Sequence, residues 1–373
     1  MGNVSYDAVY DHLDRLIAIP SVSGDEATSA QVIKYCEEVL QKAGMHITTF
    51  KDGGFSSLVA TSRPDVKKPK LLLGAHLDVV PGDEALFTLR REDGRLYGRG
   101  VLDMKFAGAC FLQVATELAG KMADYDFGIM LTTDEETSGE HGVKYLLEQG
   151  YGCEVCLLPD GANNWRVEAV AKGSWQIRVN AKGKSAHGAQ PWLGDSAIDK
   201  LLAFLHEATT MIPAPGKHAD TTMVVSQLQG GEAPNQVPDS ASASLDIRFL
   251  GKGVKEALED MFTTLATAHD VEITTAMYAR PVELDLTLSA LQVWEDIIEK
   301  VRGEPNGDYA LSFGASDARF FAEHNIPSIV TYPTGTGGHS DHEWIGEQDL
   351  YQFYECSLEY VKKLTGTLDD ANV

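Results

Sequence analysis

No apolar run in this chain approaches the roughly 18 continuous apolar residues that a membrane-spanning helix needs, so no membrane partner is expected. Basic residues are scarce: 31 Lys and Arg stand against 55 Asp and Glu, a formal charge of −24 at pH 7. Such a surface repels phosphate backbones and argues against a nucleic-acid partner. Cysteines number five, at Cys36, Cys110, Cys153, Cys156 and Cys356, an odd and scattered set that suits a reducing cytoplasm. Cys153 and Cys156 form a CxxC, but no second CxxC completes a zinc site of that type, and packing is their expected role. GxSxG is missing, which removes the strained serine elbow of one large hydrolase class. GxGxxG is missing after a first strand, and GTGG at 335–338 does not replace it, which argues against a dinucleotide-dependent oxidoreductase. The opening MGNVSYDAVYDHLDRLIAIP carries acids and no basic-then-apolar leader, so the expected location is cytoplasmic.

What is present reads as globular, with 43% hydrophobic and 23% charged residues. At about 150 residues per domain the length predicts two domains or three. Helical spacing covers 5–17 and 27–43, as in Val32, Ile33, Cys36, Val39 and Leu40. Continuous apolar runs follow at 71–75, 127–131, 155–158 and 326–332, separated by helical stretches such as 104–119 and 140–149. Apolar strands alternating with helices predict an α/β layer with a mostly parallel sheet flanked by helices. From 174 to 281 the pattern changes to strand, helix, two strands, helix and strand, the ferredoxin-like βαββαβ order. The expected domains are therefore a catalytic domain at 1–173 and 282–373, interrupted by an inserted domain at 174–281. A polar tail at 365–373 is expected to fray.

Polar residues fall at informative places. The run 71–75 leads directly to His76 and Asp78, and 127–131 leads to Asp134, Glu135 and Glu136. The run 155–158 leads to Asp160, and 326–332 leads to His339, Asp341, His342 and Glu343. Open α/β sheets place their ligand crevice at the C-terminal ends of the strands. Asp103 joins from the turn GRGVLDMK, where an N-cap would by itself explain an acid before a helix. Histidines and carboxylates converging on one crevice have the ligand chemistry of zinc or a similar divalent ion. If Asp103, Glu136 and Asp160 bind with neutral His76 and His339, three negative charges face the metal. One dication leaves that set negative, whereas two supply enough charge to offset it, with room for a hydroxide. Metal is then the positive charge that lets three acids crowd at a strand end.

The segments IPSVSGDE (19–26), GAHLDVVP (74–81), GRGVLDMK (98–105), TTDEETSG (132–139), GKSAHGAQPWLGDSAI (183–198), Asn235, DIR (246–248) and GHSDHEW occur in one order along nearly the whole chain. This set resembles the metallopeptidase family that holds acetylornithine deacetylase, succinyl-diaminopimelate desuccinylase, aminoacylase and glutamate carboxypeptidase. The resemblance implies two zinc ions per chain, with Co2+ or Mn2+ as possible substitutes. His76 and Asp160 would hold one ion, Glu136 and His339 the other, and Asp103 would bridge both. Asp78 would orient His76, and Glu135 would act as general base on a metal-activated water; Asp134 reads as structural. The inserted domain becomes a lid and dimerisation domain whose His187 stabilises the oxyanion across a homodimer. Asn235 and Arg248 match substrate-binding positions, and Arg319 falls in another family motif where an ion pair is an equal reading.

One position departs from the pattern. The residue matching Asp160 is usually Glu in the deacetylase and desuccinylase branches, whereas dipeptidase and aminopeptidase branches tend to carry Asp. The expected substrate is a small N-acyl amino acid, with a dipeptide or other small peptide as the alternative. A catalytically inactive metal-binding homologue is a further alternative, disfavoured because it need not keep Glu135.

Overall fold

Cap chemistry and apolar spacing account for the first elements. Helix α1 (Gly2–Ile17) buries Val9, Leu13, Leu16 and Ile17 on one face. Helix α2 (Glu26–Ala43) starts where the Asp25 carboxylate accepts the N–H groups of Ala27 and Thr28. It stops at Gly44, whose φ of 89° suits a residue without a Cβ. The computed structural model describes residues 2–161, 164–212, 220–251, 253–314 and 316–366. Most of the polar tail, and Asn163 after the Asp160 motif, lie outside them.

The chain divides into two compact units, one of Met1–Ala169, Leu284–Ser312 and Ser316–Val373, the other of Val170–Glu283 and Phe313–Ala315. Patterning alone puts the insertion at 174–281; the second unit runs a few residues further at each end and takes in 313–315. The first unit carries β1 (His46–Asp52), β2 (Phe55–Thr61), β3 (Leu71–His76), α3 (Lys105–Glu117), β4 (Phe127–Thr132) and β5 (Val155–Leu158). The second follows with β6 (Gly173–Lys182), α4 (Ala197–Met211), β7 (Thr222–Gly230), β8 (Ser240–Phe249), α5 (Val254–His269) and β9 (Val271–Ala279). The chain then completes the first unit with α6 (Ser289–Arg302), β10 (Ser328–Val330) and α7 (Glu347–Thr365).

The main sheet of the first unit has six strands in the order β1, β2, β4, β3, β5, β10. Strand β3 pairs in parallel with β4 and β5, and β10 in parallel with β5. The sheet is nevertheless mixed, because β1 and β2 form an antiparallel hairpin and β2 pairs antiparallel with β4. Sequence patterning misses that hairpin for a physical reason. Strand β1 lies at the edge with mostly polar, exposed residues and has no apolar run to mark it. The parallel strands are buried along their whole length, as a sheet covered on both faces requires.

In the second unit the strands run antiparallel in the order β7, β8, β6, β9. Alternate residues of β6, Trp175, Ile177, Val179 and Ala181, bury one face of this sheet against Leu201, Phe204 and Leu205 of α4 and Phe262 and Leu265 of α5. The period of two in the sequence therefore marks a sheet with a single covered face.

Helix α3 is buried from Lys105 to Ala115, so it carries apolar residues all round rather than on a stripe. Around it an aromatic cluster ties α3, α6 and α7 together. The fully buried Phe353 ring has its centroid 5.2 Å from Phe106, 5.8 Å from Trp294 and 5.9 Å from Trp165. Deleting a buried aromatic side chain removes its transfer free energy and leaves a cavity. Phe353→Ala is expected to cost about 3–5 kcal/mol, read as a lower thermal midpoint of the first unit; a loss below about 1 kcal/mol would show that these rings do not hold the helices together.

Candidate metal centre

Strand ends bring the acids to one edge. After β4, Thr133 is tied down by its hydroxyl, which donates to the Ser56 carbonyl at 2.8 Å. Asp134 then turns away from the neighbouring acids: its Oδ2 accepts the N–H groups of His141 at 2.7 Å and Gly142 at 2.8 Å. A Cβ on Gly142 would lie 2.1 Å from Asp134 Oδ1, so only glycine admits this turn. With Asp134 bound inward, Glu135 and Glu136 are left to face the ends of the neighbouring strands.

Asp78 holds the arrangement together. Its carboxylate accepts the N–H of Glu135 at 3.3 Å, the N–H of Glu136 at 3.1 Å and the Ser23 hydroxyl at 2.5 Å. It also lies 3.4 Å from His76 Nδ1, while the Asp78 carbonyl is 3.1 Å from the same nitrogen. His76 Nε2 is thereby turned outward, toward Asp103 Oδ1 at 3.2 Å. Asp103 is not a helix cap: α3 begins after Met104 without a side-chain cap. Its second oxygen, Oδ2, lies 3.3 Å from His339 Nε2, and that nitrogen is 2.9 Å from Glu136 Oε2. His339 adopts a left-handed φ of 64° just after Gly337 and Gly338.

Two groups of potential ligand atoms result, each with its atoms within 4.8 Å of one another. One is His76, Glu135 and Asp160; the other is Asp103, Glu136 and His339. Asp103 faces both histidines, one oxygen to each.

Charge in this crevice is out of balance. Burial raises the Glu136 carboxyl to about 7 and Asp160 to about 6, with Asp103 adding repulsion in each case. Burial and the nearby Asp160 charge push Glu135 well above the usual carboxylate range. The histidines are raised as well, which for an imidazole favours the charged form. A hydrogen bond to Asp103 raises His339 to about 9, and although burial opposes it, bonds to Asp103 and Asp78 hold His76 well above its ordinary value. Asp103, half-buried and hydrogen-bonded to both imidazoles, is pushed below the usual range. Protons on the histidines thus stand where cations would otherwise go.

The donor set fits divalent ions: imidazole nitrogens and carboxylate oxygens from separate segments, with Asp103 of one group also within 3.2 Å of His76 in the other. A buried oxygen of Asp160, Oδ2, has no hydrogen-bond partner among the described residues, the kind of orphan that a bound cation satisfies. Further buried acids surround the centre that sequence reasoning did not single out. Asp317 is buried with Oδ1 unpartnered, and Glu168 is raised to about 8 by burial and by Asp160. No spacing in the sequence marks either one. Arg319 donates to the Ser138 carbonyl and stacks 4.4 Å over Phe320, a local role in the turn after the acids.

The remaining expected residues lie in the second unit. His187 sits in a short strand paired with Gln236–Val237, and Gly188 N–H donates to the Asn235 carbonyl at 2.7 Å, so His187 and Asn235 are neighbours there. His187 is exposed, and its Nδ1 accepts the Ala189 N–H at 3.1 Å, which leaves Nε2 as the donor of the neutral ring. Arg248 pairs with Asp246 through two contacts, at 2.8 and 3.0 Å. All five cysteines are free and buried, Cys153 and Cys156 among them.

Comparison with known proteins agrees with this fold. A succinyl-diaminopimelate desuccinylase of Rickettsia akari (strain Hartford) is 25% identical over 384 residues, covering 95% of this chain and 99% of that one. A Staphylococcus aureus tripeptidase shares the fold with a TM-score of 0.79 at 20% identity, over 96% of this chain and 98% of that one. A Bacillus subtilis protein described as a dinuclear metal binding peptidase of the M20 family shares it with a TM-score of 0.70 at 15% identity, over 96% of this chain and 99% of that one. The family model of peptidase family M20/M25/M40 matches residues 72–363, a span that runs from β3 through every strand end described above. The chain belongs to that family and is a metal-dependent hydrolase.

Proposed function

We propose that this chain hydrolyses the amide bond of a small N-acyl amino acid at a centre of two zinc ions. The observation that carries this reading is Asp103, whose two oxygens face one histidine each, at 3.2 and 3.3 Å. His76 and Asp160 would hold one ion, Glu136 and His339 the other, and Asp103 would be shared. Bound there, the ions supply Lewis acidity that polarises a carbonyl oxygen and acidifies water.

The protein's own groups do the rest. Asp78 fixes the ring of His76 and, through two backbone N–H groups, the positions of Glu135 and Glu136. Glu135 has no metal to hold in this assignment, and its raised pKa suits a group that takes a proton from the attacking water and passes it to the departing amine. His187, donating through Nε2, would stabilise the developing oxyanion across a homodimer formed by the second unit, and Asn235 and Arg248 would bind substrate there; the family resemblance supports these roles. The high negative charge supports the absence of a nucleic-acid partner, and five unpaired cysteines support a cytoplasmic location.

A second reading has its own observation. Asp160 is one methylene shorter than Glu, which leaves room for the free amino group of a dipeptide or small peptide, and the carboxyl of the buried Glu168, raised to about 8 by burial and by the nearby Asp160, can accept a hydrogen bond from that group. Zinc-loaded enzyme tested on N-acetyl, N-succinyl and free-amine dipeptide substrates separates the two. Turnover of N-acyl amino acids supports the first reading, and turnover confined to free-amine substrates overturns it.

Glu135→Gln is expected to lower kcat about 10²–10⁴-fold, the range for loss of a general base, with zinc content unchanged by elemental analysis; unchanged kcat would remove Glu135 from the mechanism. Metal binding must also depend on pH. Carboxyls raised to about 6 and about 7 at Asp160 and Glu136 ligate only after losing their protons, and His339, raised to about 9, must lose one too. Affinity therefore rises with pH and weakens as pH falls from about 9 through 7 to 6, and zinc uptake at pH 7 releases protons. Calorimetry in buffers of different ionisation enthalpy reads this directly; heats independent of buffer would contradict it.

A further inference from the structure

Between Arg99 and Asp103 the chain forms an irregular turn, and its N–H groups need partners away from water. Backbone carbonyls take those of Arg99 and Val101, and one side chain takes the other three. Glu343 Oε1 accepts the N–H of Leu102 at 2.8 Å and of Asp103 at 3.0 Å, while Oε2 accepts the N–H of Gly100 at 3.0 Å. Glu343 Oε2 also meets Arg99 Nη1 at 3.2 Å, and both side chains are buried at 3% exposure. Arg99 reaches on to two further loops, donating to the Ser340 carbonyl at 3.0 Å and to the Pro81 carbonyl at 3.4 Å.

These contacts have a common geometry. Pro81 follows His76 in the loop after β3, Asp103 ends the turn that Glu343 holds, and Ser340 and Glu343 follow His339 in its own loop. Three loops that each present a ligand atom are thus fastened at one buried ion pair. Asp103 is separated from Glu343 by 240 positions in sequence, yet its own N–H is bound to the carboxylate that follows His339 by four residues. Ligand distances tolerate only about 0.2 Å of error, and Asp103 must keep one oxygen on each histidine. A turn free to shift would satisfy one side and lose the other.

We propose that Glu343 and Arg99 are a positioning pair that sets the Asp103 carboxylate between the two ligand groups, so that removing either weakens metal binding rather than substrate binding. Neither residue belongs to a group of potential ligand atoms; the pair acts through the backbone of Asp103. This inference rests on the two-zinc reading above.

The test uses the full chain with Glu343→Gln and Arg99→Lys, and Glu343→Asp as the conservative control. Glutamine keeps the shape but brings an amide N–H2 where two oxygens now accept, and lysine keeps the charge but loses the planar fork. Zn2+ affinity is measured by competition with a chromogenic chelator, and the absorption bands of Co2+-loaded protein report coordination. Both variants are expected to bind Zn2+ about 10–100-fold more weakly, the range for residues that support metal ligands. The kcat at fixed subsaturating zinc should fall by a similar factor with KM within about two-fold, the Co2+ bands should change, and Glu343→Asp should recover part of the affinity. If Glu343→Gln does not fold, Arg99→Lys alone decides. Wild-type zinc affinity and Co2+ bands in a folded variant overturn the proposal, while wild-type protein that binds no zinc overturns the two-zinc reading and the proposal with it.

Discussion

Mutual repulsion among half-buried carboxylates is the constraint around which this site is organised. Asp103, Glu135, Glu136 and Asp160 converge where burial makes ionisation costly, and in the absence of cations the balance is struck by protons on His76 and His339. Such a cluster would weaken a protein that had no use for it. Two dications would attract each of these carboxylates and outweigh their mutual repulsion, with the imidazoles then neutral.

The scaffold makes this crowding possible. Parallel strands buried on both faces end at one edge, and each hands its next residues to the crevice. Around the ligands, nearly every backbone group that could drift is tied down. Asp134 fixes the turn before His141, Asp78 fixes the N–H groups of Glu135 and Glu136, and Glu343 fixes the turn before Asp103. Rigid loops matter here because ligand geometry admits little error, and a shared carboxylate is the least tolerant element.

How much of this is legible in the sequence follows from what leaves a local mark. Apolar runs that stop at His76, just before Glu135 and Glu136, and at Asp160 identify strands and proposed ligands together, because burial on both faces forces continuity and the crevice forces polarity at the end. The alternation of the second unit is equally plain. The edge hairpin His46–Asp52 and Phe55–Thr61 is not, since its first strand is polar and exposed. Arg99 and Glu343 lie inside motifs that read as ligand-bearing, yet their bond to each other spans 244 positions and no spacing announces it. Glu168 and Asp317 are hidden for the same reason: burial by distant elements, rather than local pattern, makes them part of the crevice.

The centre stands or falls on two ions sharing Asp103. Anomalous diffraction at the zinc edge from crystals of zinc-loaded protein measures this most directly. The account predicts two peaks about 3.5–4 Å apart, with an Asp103 oxygen on each. A single peak, or two peaks that leave Asp103 unliganded, would contradict it.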